Sequence, residues 1–516
     1  MRLTFSGSRD AELFTREIEA SMDGAILHLL DTDPDSPSYG FMQASFDGRP
    51  WTDTMWTRDA GVMLRELACY GKLDHAKALA LCLIRMVEKN EAGFYTYPEH
   101  LDRGKSGSGE ELDGTASICI GMVYLLRRLK KDDPAYEAIL AFMLSEDSPI
   151  AFAKMRLKAT PLIEGTGEFG GGCGIPGRYV NSVQNALVRG MLLVFAQFLD
   201  EIGRPDAELR AAAEVIRDGM LRHLLDADGS WIWCVEPGSF ETDERILNDE
   251  INKGLGHIND VTALLADVEG LNLTDPEMLS AGRATMDRLY RFPRRAMLLD
   301  TTGMWLQFDE YMKGGLSSPS YGCGYAIQAM ALTDRRDWLT KCVRYLAEVT
   351  YAPVTAITRS SPYWFYERFY AADRVNEIDT WEGCGALNLV NVAEPLKVAR
   401  MLAGADCAGL GRREISPRLP EGWKSVTVEN WLIPTEKGNE KAGYTYRAVE
   451  PGGKPGTFAV LAADGSGYAC DTDCRMDLVR FGPFTTDEVK AVGGEILKTE
   501  KTDEGLYYYS AKQTTV

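Results

Sequence analysis

WTDTMWTRDAG, residues 51–61, running on into VMLRELACY, residues 62–70, is the stretch on which the reading of this chain turns. Val62, Leu64 and Leu67 recur at helical spacing, so a helix is expected over 60–70. Thr57 stands where a cap belongs, and Asp59 stands where the positive end of the helix dipole favours an acid. Yet two tryptophans, Asp53, Asp59 and Arg58 within eleven positions are more than a helix start requires. The same set suits a small polar ligand: Arg58 donates to adjacent hydroxyls, Asp59 accepts from them, and Trp51 or Trp56 covers an apolar face.

Working outward, helical periodicity dominates from residue 10 to about 404. Amphipathic segments are expected at 10–30, 60–70, 76–88, 113–129, 134–145, 181–201, 206–225, 258–267, 276–290, 321–333, 337–349 and 384–403. Short turns alternate with long loops rich in glycine and aromatic residues, which is the pattern of stacked helical hairpins. Six such hairpins closed into a ring make an (α/α)6 barrel, with the long loops gathered at one end. After GADCAGLGRREISPRLPEGW the texture changes: KSVTVENWLIP, KAGYTYRAVE and GTFAVLAAD alternate apolar and polar residues between turn formers. The expected organisation is a mainly α barrel over residues 1–408 and a small β-sandwich over 409–516.

Composition narrows the function. With 56 basic and 76 acidic residues the formal net charge is −20, a field that repels nucleic acid and leaves a neutral sugar unaffected. The opening residues lack the apolar core of a signal peptide, and no apolar run approaches the ~20 residues that span a bilayer. Eleven cysteines, mostly single and several inside apolar helical stretches, read as reduced and buried. A cytoplasmic protein is therefore expected, with no membrane and no nucleic-acid partner; the sequence leaves the oligomeric state open. Cys470 and Cys474 in CDTDC have no further thiol or imidazole nearby, and the five histidines show no ligand spacing, so neither metal nor cofactor is expected. No GxSxG elbow, dinucleotide fingerprint or Walker motif occurs.

Two further loops carry candidate chemistry. In PLIEGTGEFGGGCGIPGRYVNSVQNALVRG (161–190), Glu164 and Glu168 sit among seven glycines ahead of a helix bearing Gln184. A carboxyl in such surroundings, with little water, has its pKa raised and serves as a general acid. In RSSPYWFYERFYAADRVNEIDTWEG (359–383), six aromatic residues surround Glu367 and Arg368, a costly place for charge without a partner or a ligand. Trp364 and Trp381 offer stacking faces in the same loop. Glu236 and Asp260 are reserve candidates.

These residues resemble the six-hairpin glycosidases. MWTRDAGVMLREL is similar to the Trp-Thr-Arg-Asp segment of glucoamylase-like families, which implies that Arg58 and Asp59 hold hydroxyls of the terminal sugar. Glu168 ahead of VNSVQNALVRG is the nearest counterpart of the glucoamylase general acid, offset by a few residues. FYERFY resembles the aromatic-Glu-Arg-aromatic run of α-L-rhamnosidases, which implies that Glu367 is the general base. ISPRLPEGWKSVTVEN is similar to the passage from the rhamnosidase barrel into its β-domain. The rhamnosidase acid motif is absent, and Asp53 is the residue nearest its place. The resemblance implies an inverting, exo-acting hydrolase that removes a terminal, α-linked sugar, glucoside-type in preference, with Glu168 as acid and Glu367 as base. Asp53, Trp56, Arg58, Asp59, Glu164, Gln184, Trp364, Arg368 and Trp381 would bind the sugar. Its rivals are a rhamnosidase-type hydrolase, an inverting phosphorylase, a histidine-dependent epimerase and a non-catalytic glycan-binding protein.

Overall fold

The computed structural model describes residues 1–46, 52–166, 178–232, 234–241, 275–291, 293–303, 305, 323–352, 362–365, 387–405, 414–473, 476 and 478–512. Helices fill the region of 3.6-residue periodicity: α1 (Arg9–Gly24), α2 (Thr57–Cys69), α3 (Leu73–Met86), α4 (Leu112–Leu126), α5 (Pro134–Leu144), α6 (Pro149–Leu157) and α7 (Ser182–Glu201). They continue as α8 (Ala207–His223), α9 (Pro276–Tyr290), α10 (Pro293–Thr302), α11 (Cys323–Leu332), α12 (Arg336–Tyr351) and α13 (Leu389–Ala403). Three of them start alike. Asp133, Ser148 and Asp275 accept from a backbone N–H of the first turn while proline, which lacks that donor, occupies the first helical position. The expected helix at 258–267 lies outside the described residues.

Burial sorts the helices into two layers. Every residue of α2 and α4 is buried, and α7 and α13 are nearly as enclosed. A helix covered on all sides belongs inside, whereas α1, α8 and α12 each leave a charged face to water. α2 packs on α4 and α4 on α7; α11 packs on α13, which returns to α2. These five are consecutive members of an inner layer. α3 lies against α2, α8 against α7 and α12 against α11, while α1 spans α12 and α13 from outside. Among the described residues α7 alone is long and apolar enough to cross a bilayer; here it is buried between α4 and α8.

The α2–α4 seam is set by small residues. A Cβ on Gly61 would stand 2.5 Å from the Ile118 nitrogen, one on Gly114 2.2 Å from Thr57 Oγ1, and one on Gly121 2.8 Å from the Gly61 carbonyl. The α2–α13 seam is ionic. Arg400 clasps Glu66 with Nε–Oε2 and Nη2–Oε1 contacts of 3.0 and 2.9 Å, and Arg65 Nε adds a third at 3.1 Å. Burial opposes ionisation of Glu66, but Arg400 and Arg65 outweigh it and hold the carboxyl at about 2. Nearby, Lys397 donates to Glu394 at 2.8 Å; burial drives Glu394 up and Lys397 down to about 8.

Beyond α13 the chain forms two sheets. In the strand Ser425–Thr435, Val426 and Val428 face inward; a bulge then places Asn430 at φ 53° and restores the inward phase for Trp431 and Ile433. This strand pairs on one side with Gly438–Val449 and on the other with Arg2–Ser6, so a strand preceding α1 forms the edge of a six-stranded sheet. The second sheet has four strands. Tyr446 and Phe458 of the first meet Phe481 of the second at 6.2 and 5.7 Å between ring centroids. Arg480 of the smaller sheet reaches the α11–α12 turn, where both its Nη atoms donate to Asp334 at 3.0 Å.

Candidate active site

A collar of short extended segments holds together the N-terminal ends of α13, α2, α4 and α7. Leu387 N–H donates to the Trp364 carbonyl, Leu389 N–H to Ala44, and Ala44 N–H to Thr54. Thr54–Trp56 then pairs with His100–Asp102, Glu111 N–H donates to Tyr97, and Thr166 N–H donates to Glu110. Glu164–Gly165 pairs with Tyr179–Asn181, which pairs with Cys234–Val235, bringing Glu236 to the collar's far end. Asn181 caps α7, accepting from Val183 and Gln184 N–H at 2.8 and 3.2 Å. Asn185 exchanges two hydrogen bonds with the Ile163 backbone, 2.9 and 3.0 Å, and fixes the chain entering the glycine-rich loop.

Arg58 and Asp59 lie in the first turn of α2 within this collar, and both are buried. Arg58 Nη1 stands 3.3 Å from Glu111 Oε1 and 3.4 Å from Asp113 Oδ2, and its Nε lies 3.6 Å from Asp59 Oδ1. Glu111 and Asp113 belong to the start of α4, brought here by the α2–α4 seam. Burial pushes the Asp113 carboxyl up against the opposing pull of Arg58. Thr57 departs from its expected role. Its hydroxyl donates to the Pro98 carbonyl at 2.7 Å, and Trp56 occupies the cap position, where its side chain does not accept from the first turn. The α4 segment packs so closely that Thr57 Oγ1 is drawn to that loop rather than to its own helix. Chemically, the cluster offers buried carboxylate acceptors around one guanidinium, an arrangement suited to hydroxyls held in a fixed orientation.

The remaining expected binding residues take varied places. Asp53 is largely exposed and receives Arg103 Nε at 3.0 Å. Trp56 stands at the rim with its ring centroid 5.5 Å from that of His100. Trp364 meets Phe46 and His28 edge-on, at 6.4 and 6.3 Å. Glu164 lies between two cations, 3.0 Å from Arg156 Nη2 and 3.3 Å from Arg178 Nε, while Arg178 also pairs with Glu110. Gln184 Nε2 donates to the Thr166 carbonyl at 3.0 Å. Glu168, Glu367, Arg368, Trp381 and Asp260 lie outside the described residues. The described residues flanking the two loops, Thr166 and Arg178, Phe365 and Leu387, all belong to the collar.

Sequence reasoning missed Glu110, Glu111 and Asp113. Their signal was the run GEELDG, residues 109–114, directly ahead of an apolar helix. It also passed over Phe46, which is 41% exposed beside His28 and Trp364.

No family model and no curated protein matches the chain. Solved structures similar to it include a glycosidase, 14% identical with a TM-score of 0.47, over 75% of this chain and 96% of that one. A D-mannose isomerase is 11% identical with a TM-score of 0.47, over 77% of this chain and 100% of its own. A protein described as a kojibiose phosphorylase from the human microbiome is 12% identical with a TM-score of 0.48, over 91% of this chain and 60% of that one. At such identities and scores the functional reading rests on this chain's own residues.

Proposed function

We propose that this chain is a glycoside hydrolase built on a closed (α/α)6 barrel, removing a terminal α-linked sugar with inversion. The observation that carries the reading is the buried Arg58–Asp59 pair in the collar from which segments 167–177 and 366–386 depart and to which they return. Those segments contain Glu168 and Glu367. In this reading Glu168 protonates the departing glycosidic oxygen while Glu367 takes a proton from a water on the opposite face. Inversion asks for carboxyls about 6.5–9.5 Å apart, leaving room for that water. Arg58 and Asp59 hold the non-reducing-end sugar, converting binding energy into orientation. Trp56, Trp364 and Phe46 supply apolar faces, and no cofactor is called upon.

The rim charges favour water over phosphate as the acceptor. A phosphorylase needs cations left over for the anion, yet among the described residues of the collar Arg103, Arg156 and Arg178 are each matched to a carboxylate. One observation favours a second reading, a sugar isomerase: two of the five histidines, His28 and His100, stand beside rim aromatics where a proton carrier would be needed.

A panel of α- and β-linked glycosides, with and without phosphate, tests the proposal, proton NMR reporting the first anomer released. Glu367→Gln is expected to lower kcat by a factor of 10³ or more with the fold intact. Wild-type turnover in that variant would remove Glu367 from the base role. Deuterium uptake at C2 of a free hexose, without cleavage of any glycoside, would establish the isomerase instead.

A further inference from the structure

Among the described residues, three carboxylates lie within 3.6 Å of the guanidinium of Arg58, and of these Asp59 alone is its neighbour in sequence. The other two come from α4, and both bear on the same atom, Nη1. Asp113 and Glu111 are buried as completely as the arginine, and Asp113 Oδ1 has no hydrogen-bond partner among the described residues. Structure alone needs one carboxylate to neutralise Arg58, and Asp59 is already there. The second and third fix the guanidinium in direction: with Nη1 held from α4, its Nε edge stays turned toward Asp59.

We propose that Asp113, together with Glu111, is a positioning residue that orients Arg58 and through it Asp59 for a sugar's hydroxyls. The inference rests on the reading of Arg58 and Asp59 as sugar holders, and it extends that site to a second helix. Gly114 supports the arrangement, because any side chain there would meet Thr57 Oγ1 at 2.2 Å and force the carboxylates away from α2.

Calorimetric titration of a panel of hexoses and 6-deoxyhexoses into the full chain tests this in wild type, Glu367→Gln, Asp113→Asn and Glu111→Gln. Asp113→Asn and Glu111→Gln, both close in shape to the native residues, are expected to weaken the best-bound sugar at least tenfold at unchanged stoichiometry. A purely structural loss would instead lower the stoichiometry, which counts folded sites, and leave Kd where it was. A Kd within twofold of wild type in both variants overturns the inference while the hydrolase reading stands. Sugar binding sensitive to Asp113 but without cleavage of any glycoside overturns the hydrolase reading and leaves this one. No sugar bound by wild type overturns both.

Discussion

Glu66 is a carboxylate sealed among cations, and its titration should be visible in the stability of the whole chain. Its carboxyl is held at about 2 against an ordinary 4.5, so the folded state binds this proton less tightly than the unfolded one. The stabilisation is fully present above pH 4.5 and is lost as pH falls from there toward 2. Glu66→Gln should cost about 3 kcal/mol at pH 7 by removing the buried carboxylate that Arg400 and Arg65 share. Denaturant midpoints of wild type and variant are expected to converge between pH 4.5 and 2; curves that stay parallel would mean Glu66 is not ionised in the fold. Arg58 and Asp59 were legible in the sequence because W-T-R-D is distinctive beside a helix. Glu111 and Asp113 were not, since acids ahead of any helix satisfy its dipole and look alike whether or not they meet an arginine. Only the packing of α4 on α2 distinguishes them.

The α2–α4 seam is an element that tolerates no addition. Gly61→Ala would press a methyl group to within 2.5 Å of the Ile118 nitrogen, backbone that cannot move alone. The two helices must separate, at a cost of about 1–3 kcal/mol. Separation also draws Glu111 and Asp113 from Arg58, so sugar affinity is expected to fall with the unfolding midpoint; a variant with wild-type stability would show that the seam has slack. Most helices were readable because their apolar residues display a period, α5 and α11 at eleven and ten residues included. α6 and α10, nine and ten residues long, were not. The collar escaped for the same reason: strands of two or three residues have no alternation to read, and their partners are set by the helices beneath them.

At the scale of the whole molecule, the contacts that join the sheets to the helices include the buried ion pair of Arg480 with Asp334. Arg480→Met should cost about 3–5 kcal/mol by stranding the Asp334 carboxylate. Adding Asp334→Asn, a residue suited to the φ of 60° at that turn, should recover much of the loss. Chemical denaturation of the single and double variants measures the coupling; additive losses would deny that the two residues act as a pair. The alternation of 425–449 announced the larger sheet in advance. Its edge strand did not announce itself, because RLTFS is five residues long and its partner lies more than 400 positions away.

That edge strand has a consequence for how the protein comes into being. Ser6 and Ser425, hydrogen-bonded through their hydroxyls, are 419 residues apart in the chain. At about 5–20 residues per second, a ribosome needs on the order of 20–80 s to make what lies between them. During that interval Leu3 and Phe5, buried in the finished sheet, have no strand to pair with, and the N-terminal segment waits as an unsatisfied template. The helical region can assemble as its helices emerge. The sheet that fastens its two ends cannot be completed until almost all of the chain has left the ribosome, so truncated translation products would carry a sticky, unpaired strand that marks them for quality control.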